Sequence, residues 1–294
     1  MENIIKWKNF ELLIRSFEHS HANGGRLNKL WVEDRLTGRV FMIKGSSYNN
    51  YEPFSEKLAY IVGKNLGIDV LEYDLIPSSY FSHILGKGCG YVSICEKIDR
   101  SGYSITSVAE IKRARNTILG FNGKQITNKE VMYEILPRNY IETMFLFDAI
   151  IGNSDRHYGN VHVLRDTEGK IIGAPILDNG ASLLANVSII AALLSGDRIG
   201  ELFNTSLTTD KNHDMQVASI ETLNNISFNI PVVTMNILLE MKPILDLMPK
   251  YRANLIEKYL VYRIHKYLGI IKYGSNKPIE KIRAMTEAEE SIYR

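Results

Sequence analysis

Cysteine is scarce in this chain, with only Cys89 and Cys95 in 294 residues. That excludes a disulfide framework and a cysteine-rich zinc site. Long apolar runs are missing too. The most apolar stretch, Leu183 to Leu194, is interrupted by Asn186 and Ser188 and predicts a buried helix, not a membrane span. The opening Met1-Glu2-Asn3-Ile4-Ile5-Lys6 carries an early acid and no extended apolar core, so no secretory signal is expected. Nor is there an excess of one charge: 35 Lys and Arg stand against 33 Asp and Glu. The net charge of +2 gives no reason to expect a nucleic acid or an anionic membrane as partner. Lys112-Arg113-Ala114-Arg115 is a small basic cluster that fits a solvated helix face. No Gly-x-x-x-x-Gly-Lys loop occurs, which disfavours a P-loop enzyme, and there is no internal repeat. What remains is a soluble globular chain, expected in the cytoplasm, with 45% hydrophobic and 23% charged residues.

Two short segments carry the chemistry that is present. Asn153-Ser154-Asp155-Arg156-His157-Tyr158-Gly159-Asn160 sets an Asp and an Asn five residues apart in a helix-breaking context. Pro175-Ile176-Leu177-Asp178-Asn179-Gly180 places an Asp at the end of an apolar strand. Between them, Val161–Arg165 and Ile171–Leu177 flank Asp166-Thr167-Glu168-Gly169-Lys170, which predicts a hairpin with a Gly-containing turn. Antiparallel pairing would bring Asn160 beside Asp178, with Asp155 one loop away. That is two oxygen ligands for a hard cation plus a separate carboxylate, the set that Mg²⁺-dependent phosphoryl transfer requires. Each segment alone has a structural reading, because Asx residues beside Gly also make turns. Their joint occurrence in this order is the informative observation.

The chain changes character along its length, and two parts are expected, 1–100 and 101–294. The first is β-rich around one helix. Leu30–Asp34 and Arg39–Lys44 predict a hairpin ending on a lysine. Ser55 is the expected cap of a helix with Leu58, Ala59, Ile61, Val62 and Leu66 on its apolar face, and Gly67 is placed to stop it. Val70–Ile76 and Tyr91–Glu96 predict further strands. Beyond the polar stretch Ser101–Ser107 the pattern is mainly helical, most clearly over Ile141–Ile151 and Arg252–Ile271. A β-rich lobe before a larger helical one would put an active site in the cleft between them.

Lys44, at a strand end, and Glu56, on the first turn of the following helix, could form an ion pair that presents an ammonium to phosphate oxygens. Upstream, Ala22-Asn23-Gly24-Gly25-Arg26-Leu27-Asn28-Lys29, just before the first hairpin, is a glycine-containing loop where a phosphate cover would lie. This order of glycine loop, strand lysine, helix glutamate, hinge, Asp-x-x-x-x-Asn loop and strand-end Asp follows the protein-kinase order. The wording of Ile151–Asn160 and Leu177-Asp178-Asn179-Gly180 resembles the HipA-like serine/threonine kinases, above all the compact bacterial members. The resemblance extends to Ser55–Ala59, Leu66–Val70 and the hinge Cys95–Arg100, and covers roughly residues 20–185.

The resemblance implies an α+β, bilobal protein-kinase-like fold that uses ATP and Mg²⁺. Asp155 would orient the attacking hydroxyl and accept its proton. Asn160 and Asp178 would hold Mg²⁺, Lys44 would contact the phosphates, and Glu56 would position Lys44. Gly24 and Gly25 would cover the phosphates, and the backbone at Glu96 and Ile98 would meet the adenine edge. Arg156 and His157 would support the loop. Ser20 is the candidate for the autophosphorylated serine that such kinases carry near the glycine loop. The acceptor would be a protein serine or threonine, and an antitoxin-type partner or an effector role outside the producing cell would fit the same family. The chain departs from eukaryotic kinases: Arg156-His157 follow the Asp, Asn179-Gly180 follow Asp178, and no Ala-Pro-Glu element occurs. Two alternatives stay open, a lipid or small-molecule kinase and a nucleotide-binding pseudokinase.

Overall fold

The computed structural model describes residues 4–8, 10–18, 28–46, 51–85, 88–98, 102–119, 127–188, 200, 213–223 and 229–273. Six strands come first: β1 (Ile4–Trp7), β2 (Phe10–Glu18), β3 (Lys29–Asp34), β4 (Val40–Lys44), β5 (Tyr73–Pro77) and β6 (Tyr91–Glu96). They form one antiparallel sheet in the order β1-β2-β3-β4-β6-β5. The predicted β3–β4 hairpin is there, with Leu30 opposite Ile43 and Val32 opposite Phe41. Alternation sends these four inward, where they form a small core with Leu12, Ile76, Val92 and Ile94.

Helix α1 (Glu52–Asn65) follows β4 and begins three residues before the expected cap, and a one-turn helix α2 (Ser82–Leu85) lies between β5 and β6. Pro53 occupies its first turn, where a missing N–H costs nothing. Ser55 is therefore inside the helix, and its hydroxyl donates to the Ser182 carbonyl at 2.9 Å. Gly67, at φ +68°, ends the helix as the sequence predicts. The apolar face of α1 does not join the sheet core. Phe54, Leu58, Ala59, Ile61 and Val62 belong to the large core of the helical half.

That half contains β7 (Tyr103–Ser107), α3 (Val108–Leu119), α4 (Asn128–Ile135), α5 (Arg138–Ile151), β8 (His162–Asp166), β9 (Ile171–Gly173), α6 (His213–Ala218), α7 (Ile230–Leu245) and α8 (Lys250–Tyr273). Helix α5 is its axis, packed on α6 and α8, while α1 lies against α7. The polar stretch before residue 108 is a strand, since β7 pairs with β8 along its whole length.

Three expectations change in detail. The second strand of the hairpin stops at Gly173, because Pro175 has no N–H to donate to a ladder. Ile176 instead makes an isolated parallel bridge to Val70, and strand β5 starts only at Tyr73. Leu183–Val187 is not helical: Leu183 and Leu184 lie at φ 49° and 62°, and the segment folds into turns. The Arg252 guanidinium fixes it by donating to the carbonyls of Leu184 and Val187 at 2.8 and 2.7 Å. Residues 189–194 of that run, with Ser20, Gly24 and Gly25, lie outside the described residues.

Candidate active site

Lys44 ends β4 on the sheet face turned away from the small core, and only 3% of it is exposed. Its ammonium lies 3.1 Å from Glu56 Oε1, 2.7 Å from Asp178 Oδ1 and 3.1 Å from the Tyr73 hydroxyl. A buried ammonium is tolerable only with such partners. Burial disfavours its charge, but the Asp178 and Glu56 carboxylates outweigh burial and hold Lys44 well above its ordinary range. The same logic operates on Asp178: burial would raise it, yet Lys44 holds it well below the usual carboxylate range. Burial pushes Glu56 up, against the pull of Lys44. Glu56 also uses its second oxygen, accepting from the Asn179 N–H at 2.9 Å. One carboxylate on α1 thereby ties β4 to the segment that carries Asp178.

The Asp155–Asn160 loop is built at the end of α5. Gly152 stops the helix in the left-handed region at φ +65°, and its N–H together with that of Asn153 turns back to the Asp148 carbonyl. Asn153, fully buried, accepts the Asp155 N–H at 3.0 Å. The Asp155 carbonyl accepts from His157 N–H at 2.9 Å and from Asn160 Nδ2 at 3.1 Å. Asp155 is half-buried, and among the described residues no hydrogen bond engages its carboxylate. Asn160 and Asp178 are not drawn together by continued strand pairing, since the ladder ends at Gly173. Arg156 does it. Its Nη1 donates to the carbonyls of Asn160 at 3.0 Å and Leu177 at 2.6 Å, its Nη2 to Asn179 Oδ1 at 2.6 Å, and its Nε to Asp148 at 3.1 Å. Arg156 is fully buried, and Asp148 supplies its counter-charge.

Asp178 itself sits at φ +63°, unusual for a residue with a Cβ. Such strain persists where surroundings over-determine it. Here Arg156 holds the preceding carbonyl, Lys44 the side chain and Glu56 the following N–H.

Glu96 closes β6, exposed, and its carboxylate forms a two-pronged pair with Arg39. The Lys97 N–H donates to the Val40 carbonyl at 2.9 Å, so alternation turns the backbone groups of Glu96 and Ile98 away from β4. Strand β5 pairs with β6 only as far as Tyr73–Cys95, so beyond Cys95 that backbone edge carries no partner strand among the described residues. His157 is exposed. Sequence reasoning missed Tyr73, Asp148, Asn153 and Asn179. Only the Asn153 and Asn179 positions, within the two motifs, carried any signal.

The sheet, the helical half and the lysine–carboxylate cluster between them define a protein-kinase-like fold. No protein-family model matches the chain. In sequence it is 29% identical over 178 residues to the serine/threonine-protein kinase CtkA of Helicobacter pylori strain J99, a match that takes in 55% of this chain. The matched region spans about half the length of that relative, 51%. In structure it is similar to the crystal structure of a Helicobacter pylori proinflammatory kinase CtkA, with a TM-score of 0.63 and 20% identity over 92% of this chain and 98% of the other. At that identity the likeness shows the fold.

Proposed function

We propose that this chain is an ATP- and Mg²⁺-dependent protein serine/threonine kinase of HipA-like type. One observation carries the reading: Lys44 Nζ stands 3.1 Å from Glu56 Oε1 and 2.7 Å from Asp178 Oδ1, three charges from separate elements at one point. The sequence match to CtkA supports a kinase that acts on protein, and the motif wording around Asp155 and Asp178 supports the HipA-like type. A division at about residue 100 into two lobes is supported by β7, which pairs with β8 and not with the six-stranded sheet.

The donor set suits Mg²⁺. Asn160 uses its Nδ2 toward Asp155, which leaves Oδ1 as an oxygen ligand, and about a third (35%) of the Asp178 side chain is exposed. Among the described residues no group of three or more His, Cys, Asp or Glu could hold a metal ion. Two protein oxygens supplemented by phosphate and water are what Mg²⁺ accepts. When bound it would supply neutralisation of phosphate charge. Lys44 would bind the nucleotide's phosphates, with Glu56 and Tyr73 fixing its ammonium. The unpaired edge at Glu96 and Ile98 would receive the adenine. Asp155 would orient the acceptor hydroxyl and take its proton as the oxygen bonds to the γ-phosphorus and the bond to ADP breaks. Arg156 would act only by holding the loop and the Asp178 segment together.

The test is intact-protein mass after incubation with ATP and Mg²⁺, with and without a generic Ser/Thr acceptor protein, wild type beside Asp155→Asn. Phosphate gained by the wild type alone is expected, and peptide mapping then examines Ser20. A wild type that binds ATP yet phosphorylates neither itself nor the acceptor overturns the protein-kinase assignment.

A further inference from the structure

Strands β3 and β4 pair so that Lys29 lies directly across from Lys44. The next residues, Leu30 and Ile43, point into the small core, so alternation sends Lys29 to the face that carries Lys44. Like charges directly opposed on one face of an antiparallel pair are destabilising. For Lys44 the adjacent carboxylates of Glu56 and Asp178 offset this. Lys29 is half-buried, and among the described residues no carboxylate pairs with it. Its charge nevertheless reaches the cluster, because it helps Lys44 hold the Asp178 carboxyl low. One ammonium against two carboxylates leaves that cluster net negative, a poor reception for a polyphosphate. A second ammonium on the same face corrects the balance.

We propose that Lys29 is a second phosphate-binding cation, which grips the polyphosphate tail of a nucleoside triphosphate and sets the preference for long tails over short ones. The inference rests on the kinase reading for its ligand, and its geometry rests on the β3–β4 register. Lys29 stands at the start of β3, and in the sequence Gly24 and Gly25 precede it by five and four residues. A lysine there offers the tail a charged side-chain contact whose strength scales with the charge of the tail.

Calorimetric titration of wild type, Lys29→Met and Lys29→Arg with ATP, ADP, adenosine and inorganic tripolyphosphate, all with Mg²⁺, tests it. Lys29→Met is expected to weaken ATP about tenfold, the scale of one charged hydrogen bond. It should weaken ADP less and leave adenosine unchanged, which also shows that the variant is folded. Lys29→Arg should restore most of the ATP affinity. Equal ATP affinity in wild type and Lys29→Met overturns the proposal, as does equal loss of ATP and adenosine. A wild type that binds tripolyphosphate through Lys29 but ignores ATP keeps the cation site and refutes the kinase reading. Binding of neither refutes both.

Discussion

Arg156 is the side chain on which the geometry of the candidate site turns. It is fully buried, and its guanidinium reaches α5 through Asp148, the loop through the Asn160 carbonyl, and the Asp178 segment through Leu177 and Asn179. A planar fork with five donors can satisfy that many acceptors at once, and a lysine cannot. Burial pushes the Asp148 carboxyl up, and Arg156 keeps it from rising further. Arg156→Met would leave that carboxylate buried and uncompensated, with a cost on the order of 3–5 kcal/mol. Chemical denaturation should show the loss directly. A midpoint within error of the wild type would mean that water replaces the guanidinium and that Arg156 is no keystone.

At the scale of elements, the turn from α5 into the loop depends on one glycine. Gly152 lies at φ +65°, and a Cβ there would meet the Tyr259 hydroxyl at 1.8 Å. Tyr259 is fully buried on α8, so its ring has little room to yield. Gly152→Ala therefore combines left-handed strain with overpacking, together roughly 2–4 kcal/mol. Thermal unfolding of the variant checks this, and an unchanged midpoint would show that α8 moves freely. The sequence made such elements legible where a local rule sufficed. The β3–β4 hairpin, the strand Tyr91–Glu96 and the long helices followed from alternation, turn residues and apolar spacing. It misplaced the start of α1, where Pro53 outranked Ser55, and the end of the hairpin, where Pro175 stopped the ladder. It also took Leu183 for helix, because apolar composition does not reveal that Arg252 holds two carbonyls of that stretch. Two residues that support the site's charged groups, Tyr73 beside Lys44 and Asp148 beside Arg156, lie outside any motif. Tyr73 meets Lys44 from another strand, and Asp148 meets Arg156 across the end of α5, pairings that depend on the fold.

For the whole molecule, the decisive fact is that the described residues form two cores and that α1 belongs to the larger one. The sheet meets that core where β5 and β6 lie against α1, with Phe54 packed on Tyr91, and at the site Lys44 reaches Glu56 on α1 and Asp178. A ligand that binds Lys44 on one side and the Asp155–Asn160 and Asp178 segments on the other would tie the two cores together, and would bind only when both are folded. Saturation at about a hundred times Kd adds about 2.7 kcal/mol to the folded state. For a chain of this size that corresponds to a rise in melting temperature of about 4–5 °C. ATP and Mg²⁺ together should give the full rise. ATP without the cation should give less, because the tail then faces the Asp178 carboxylate unscreened. Asp178→Asn should abolish the difference between the two conditions while leaving the unliganded protein folded. A rise of equal size with and without Mg²⁺ in the wild type would show that the tail never reaches Asp178. The coupling of the two halves would then have to come from the adenine end alone, at the backbone edge beyond Cys95.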